Sequence, residues 1–315
     1  MQIWALIVDS FREAIDRRIF WIMILAGLAV AASMACIGFN EKGVDLLFGT
    51  WQFESEVWAV GSDDARARVA SLLVKGIVAL TLGWVGIILT LVATASTYPS
   101  LMEPGAIDII VSKPISRTKI FLGKYLGAMV FILIQAAIFV GLTFLVVGFR
   151  WGHWLWGYLW VIPLMVLLFS YLFCFSALFG VLTRRAMPAL LLTLFAWVAI
   201  MIPQRAYSVF LVAGPDLDPD GRWQRLCGAL RYVLPKTQDI NFIASKAVEA
   251  ATETEVIQGA MQPETEQDRQ DMARARQAEE KLEDAVDVAE SIATSLASEA
   301  VVVMLAIWFF RRKDF

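Results

Sequence analysis

Six stretches of this chain are each apolar for about the length of a bilayer crossing, and no other feature narrows the possible folds so far. A hydrocarbon core of about 30 Å takes roughly 20 helical residues at 1.5 Å each. The runs cover about Ile19–Gly38, Gly76–Pro99, Tyr125–Phe149, Trp154–Leu182, Ala186–Pro203 and Ile292–Phe310. With 315 residues, 58% of them hydrophobic and 18% charged, the chain lacks the polar surface to keep six such helices in water. The expected fold is all-α: a polytopic membrane protein with about six transmembrane helices. No A-x-A-like processing site follows the first run, which therefore reads as a retained helix and not a signal peptide.

Charge placement orders the rest. In residues 1–18, Trp4, Ile7, Val8, Phe11 and Ile15 share one helical stripe and Asp9, Arg12, Glu13, Asp16 and Arg17 the other, as in an interfacial amphipathic helix. Short basic flanks follow at Arg17–Arg18, at Lys113, Arg117, Lys119 and Lys124, at Arg184–Arg185 and at Arg311–Lys313. With six spans all of these fall on one side, which puts both termini in the cytoplasm. Spans one to five then occupy 19–203, with a cytoplasmic loop at 100–124. Residues 204–291 form an extracytoplasmic segment, and 292–315 the last span with its basic tail. Ser62, with Asp63 and Asp64 behind it, suits a helix start before span two. Pro163 suggests a kink within span four, and Pro188 suits the first turn of span five. Met272, Ala275, Leu282, Val286, Ala289, Ala293 and Leu296 keep a three/four spacing that predicts one continuous outer helix running into span six. The acidic run from Glu264 to Glu290 reads as its solvated face.

Several chemistries are excluded or weakened. A phosphate-cradling G-x-x-x-x-G-K-[ST] loop is missing, since Tyr125 follows the only Gly-Lys step, Gly123–Lys124; this chain does not hydrolyse ATP by itself. The single histidine, His153, and the scattered Cys36, Cys174 and Cys227 give no zinc, redox or His-based catalytic motif, so no catalytic or metal residues and no cofactor are assigned. A net charge of −3 argues against a nucleic-acid partner. Spans nearly free of ionisable groups speak against a proton- or ion-coupled transporter. Glu299 is the exception, and it either lines a path or helix contact within the last span or sits at the interface. Gln135 in span three reads more readily as helix-helix glue than as a binding group. Asp216–Gly221 offers half of a calcium loop, but Cys227 holds the position of the bidentate glutamate, and a turn is the simpler reading.

The loop between spans two and three is the most specific segment. Pro104 suits a helix start, Ala106–Val111 suit a short, largely apolar helix, Lys113–Pro114 stop it, and Ser116 can cap the next one. Ala106, Ile107, Ile109, Ile110 and Val111 need a cover, lipid or protein. Glu103, Gly105, Ile107, Asp108, Ser112, Lys113, Pro114, Ile115, Ser116, Arg117, Leu122, Gly123 and Lys124 match the corresponding loop of type-2 ABC exporter permeases, which the chain resembles. The resemblance extends to Phe11–Ala14, to Leu234–Pro235 and to the ending Phe310–Phe315, and is closest to permeases assigned to multi-copper enzyme maturation. It implies a permease subunit of an ABC transporter in the plasma (inner) membrane, paired with a second permease as a homo- or heterodimer and energised by a separate ATP-binding subunit. It also implies that Glu103, Gly105, Ile107, Asp108, Pro114, Ser116 and Arg117 couple to that ATPase, and that a substrate is exported. The alternative is a non-transporting assembly factor or mechanical transmitter whose outer helix, 246–300, grips an extracytoplasmic protein.

Overall fold

The computed structural model describes residues 15, 18–40, 43–46, 50–54, 74–81, 83–103, 116–152, 154–213, 217–250, 266–312. Most of the amphipathic helix expected over 1–18, Ser62–Asp64, the loop centre with Gly105, Ile107, Asp108 and Pro114, His153 and Asp216 lie outside them. The described chain is helical, with six helices long and apolar enough to cross a membrane: Arg18–Ala35, Val74–Met102, Arg117–Trp151, Trp156–Thr183, Ala186–Val212 and Val288–Arg312. The elements are α1 (Arg18–Ala35), α2 (residues 74–81), α3 (Trp84–Thr94), α4 (Arg117–Trp151), α5 (Val161–Thr183), α6 (Ala186–Ala213), α7 (Arg222–Val233), α8 (Thr237–Ala250), α9 (Glu266–Asp284) and α10 (Val288–Arg312). Three short strands, β1 (Ile37–Asn40), β2 (Gly43–Leu46) and β3 (Trp51–Glu54), follow α1 as an antiparallel sheet in the order β1-β2-β3, with Ile37 opposite Leu46 and Leu46 opposite Trp51.

Backbone contacts divide the chain into two compact units. The first holds Met1–Ala93, Leu122–Leu167 and Ala244–Ala260; the second holds Thr94–Phe121, Leu168–Ile243 and Met261–Phe315. In the first unit, Phe20 of α1 meets Phe131 of α4 at a centroid distance of 5.7 Å, and Gly27 lets α1 approach the Phe139 ring, which a Cβ would meet at 3.0 Å. Arg150, near the end of α4, donates to the carbonyl of Ala35 (3.2 Å), placing a cation at the C-terminal dipole of α1. Trp151 Nε1 donates to Ile37 O (3.0 Å), and Phe144 carries the rings of Trp154 and Trp156. The described tryptophans of the turn between spans three and four are thus held to Phe144 and Ile37.

Three expectations about span shape change. Pro163 is the third residue of α5, within the first turn, where no helical donor is lost, so it is no mid-span kink. Pro203 does not end span five: α6 runs through it to Ala213, because contacts with α7, among them Tyr207 against Gly228, hold the last turns despite one missing hydrogen bond. The outer helix is not continuous either. α9 ends at Asp284 and α10 begins at Val288, where Asp287 Oδ1 accepts the backbone N–H groups of Ala289 (2.8 Å) and Glu290 (3.1 Å). α9 packs against α6 instead of projecting free.

Candidate functional site: the loop anchor

Span two narrows before it delivers the loop. Pro99, which has no N–H to lose, opens a 3-10 turn over Pro99–Met102, with Leu101 N–H bonded to Tyr98 O (3.1 Å). Glu103 then turns extended (φ −70°, ψ 141°), the geometry that a following proline imposes. On the return, Ser116 Oγ accepts the N–H of Lys119 (3.4 Å) and so caps α4 as its sequence suggested. Glu103 and Ser116 are exposed where they flank the loop.

The second unit ties these two loop ends to other spans through an aromatic knot. Tyr98, Phe121, Phe173 and Phe310 are all buried to within 3% of full burial. Tyr98 lies 4.6 Å from the Phe121 ring and 5.9 Å from Phe173, and its hydroxyl donates to Phe121 O (3.2 Å). Phe121 meets Phe310 of the last span at 5.9 Å, and Phe169 stacks on Phe173 at 5.0 Å. Gly180 gives Pro99 and Tyr98 room against α5, at 3.2 and 3.3 Å from where a Cβ would stand. Arg117 Nη1 adds a bond to the carbonyl of Arg311 (3.1 Å), a cation on the C-terminal carbonyls of α10. Aromatic pairs of this kind contribute about 0.5–1.5 kcal/mol each beyond the area they bury, so the knot is a stiff junction of spans two, three, four and six. The sequence singled out Arg117 but not Tyr98, Phe121 or Phe173; Tyr98 and Phe121 were readable as aromatic residues near span ends, whereas Phe173 lies in the middle of α5.

A second cluster fastens the segment after α7. Gln204 Nε2 donates to Pro235 O (2.7 Å), while its Oε1 accepts Gln238 N–H (3.0 Å) and the Thr237 hydroxyl (3.4 Å). Asp239 accepts two bonds from Arg231 Nη2 (2.9 and 2.8 Å) and one from Ser291 Oγ (2.6 Å). Lys236 donates its backbone N–H to Ser295 Oγ (2.9 Å) and reaches Glu290 at 3.2 Å. Glu299 accepts from Ser170 Oγ (3.0 Å), a contact between α10 and α5. Gln135 is buried in α4, and its Oε1 has no hydrogen-bond partner among the described residues. Asp218 Oδ2 accepts Gln224 N–H (2.9 Å) at the start of α7, so the Asp/Pro/Gly stretch works as a helix-capping turn around Gly221 (φ 62°).

No curated protein matches this chain. The family model of the ABC-2 family transporter proteins matches residues 4–315, nearly its whole length and including the loop that the knot anchors. The chain therefore belongs to the ABC-2 transporter family, as a membrane permease component of an ABC transporter.

Proposed function

We propose that this permease pairs with a second permease, itself or a sister chain, and exports a substrate from the cytoplasm when a separate ATP-binding subunit docks on residues 103–117. The knot around Tyr98 is the observation that supports this reading. A loop that only connected two spans would need no such anchoring, whereas a lever must pass displacement on without absorbing it. Two packings of the spans, biased by the ATPase's preference for one of them, meet the condition for any coupled switch. In this reading Ile107 and its apolar neighbours dock on the ATPase, and Glu103, Ser116 and Arg117 fix the ends of the loop. The reading as a gripping assembly factor gains less support, because it calls for a free outer helix and α9 packs on α6.

Burying Ile107 against a partner contributes about 1.5–3 kcal/mol. Exposed ion pairs from Lys119 are worth about 0–1 kcal/mol. Ile107→Asp is therefore expected to release the ATPase in co-purification, and Lys119→Ala to have a mild effect. Tyr98→Leu is expected to keep the ATPase bound while losing permease-stimulated ATP hydrolysis, since it spares the docking surface and loosens the junction behind it. Retention of both binding and stimulation by Ile107→Asp, at parental membrane abundance, would remove this loop as the transmission site.

A further inference from the structure

Among the described residues of the second span, Gly83 departs from helical geometry. Residues 74–81 are helical, Gly83 lies in a turn, and α3 begins at Trp84. A Cβ on Gly83 would collide with the carbonyl oxygen of Ala79, and one on Gly86 with that of Thr81, so the chain closes onto itself here only because both residues are glycine. Irregular backbone at membrane depth persists where protein buries it or where it lines a cavity. Thr81 and Gly86 do line one: a cleft of about 120 Å³ within the first unit, completed by Gly27 of α1 and by Gln135 and Phe139 of α4. That volume is close to the roughly 150 Å³ of an apolar cavity able to take up benzene.

The polar groups of the cleft are few and unbalanced. Gln135, near the middle of α4, is 5% exposed, and its Oε1 has no hydrogen-bond donor among the described residues. The Thr81 hydroxyl is already engaged with the carbonyls of Ile77 (2.8 Å) and Val78 (3.2 Å). No charged side chain among the described residues lines the cleft, so an ion would be desolvated there without compensation. Water is a poor occupant too, because a buried water needs two to four polar partners. Leu80, Val85 and Leu89, which also line the cleft, are exposed apolar residues. What fits is an apolar body that brings one donor.

We propose that this cleft binds an uncharged apolar molecule, its inserted end the size of a ring or a short branched chain, which enters from the bilayer and donates one O–H or N–H to Gln135 Oε1. The proposal rests on the geometry of a single unit and needs neither the ATPase nor the loop reading. The test uses the full-length permease in phosphatidylcholine nanodiscs and two photoprobes, a trifluoromethyl-diazirine benzyl alcohol and its methyl ether, with labelled peptides mapped by mass spectrometry. The alcohol is expected to label the Leu80–Leu89 peptide at a concentration roughly tenfold below that of the ether, one hydrogen bond's worth of affinity. Gln135→Leu should erase that difference, and Ala26→Phe, which fills the cleft from an exposed position on α1, should suppress both probes. Equal labelling by the two probes in the parent protein overturns the proposal, and that comparison depends on no variant. Labelling by both that rises equally after delipidation identifies an acyl chain as the occupant and overturns it as well.

Discussion

At the scale of single residues, the polar side chains of this permease act by what they hold in place. Asp239 is 5% exposed and carries a charge, yet Arg231 and Ser291 give it three short hydrogen bonds, and the Arg231 guanidinium lies 4.8 Å above the Tyr207 ring. Removing one member of such a pair strands a buried charge and costs about 3–5 kcal/mol, while replacing both with apolar groups costs much less. Asp239→Ala is thus expected to lower the thermal stability of the purified protein sharply, and Asp239→Leu combined with Arg231→Leu to recover most of the loss. A double variant as unstable as the single one would refute the pairing. Nothing in the sequence pointed to this pair. Eight positions along the chain separate the two residues, and only the turn at Leu234–Lys236 between α7 and α8 brings them together. Glu299 was visible as an acid in an apolar run, but its bond to Ser170 depends on how α10 meets α5.

At the scale of elements, caps decide more than apolar spacing does. The three/four spacing from Leu282 to Leu296 continues across the junction of α9 and α10, and for that reason it predicts one helix. Asp287 breaks it, since a carboxylate that accepts two N–H groups starts a new helix wherever the chain leaves helical geometry. Asp287→Ala should therefore cost about 0.5–2 kcal/mol. Amide exchange at residues 288–291 should rise with it, and unchanged protection there would show that packing alone sets the start of α10. Ser116 was legible for the same reason that Asp287 was not: it stands at the edge of an apolar run, where a cap is expected, whereas Asp287 stands within a periodic pattern.

At the scale of the whole molecule, the basic flanks predict that the tail after Arg312 and the loop at Lys113 share the cytoplasmic side, with the segment after span five on the other. Single cysteines at Asp220 and Glu280, both exposed, should react with an impermeant maleimide from outside, and a cysteine at Lys113 only from inside. The background should carry Cys36→Ser, because Cys36 is half-buried while Cys174 and Cys227 are buried. Reaction of Lys113→Cys from outside and of Glu280→Cys from inside would invert the topology and take the docking proposal with it.

The sequence by itself determined that this chain spans a membrane as six helices and belongs with ABC permeases. Apolar length follows from the thickness of the bilayer, and the loop motif is local in the chain, so both can be read residue by residue. The tertiary structure alone decided which residues hold the ends of the loop, how the segment after α7 is fastened, and that Gln135 faces a cleft beside the second span. Each of these depends on residues far apart in sequence, such as Tyr98 with Phe173 and Lys236 with Ser295. Within an apolar helix every face looks alike until a neighbour packs against it. Hydrophobic periodicity then has no contrast to report, and only the contacts distinguish a residue that faces lipid from one that holds two spans together.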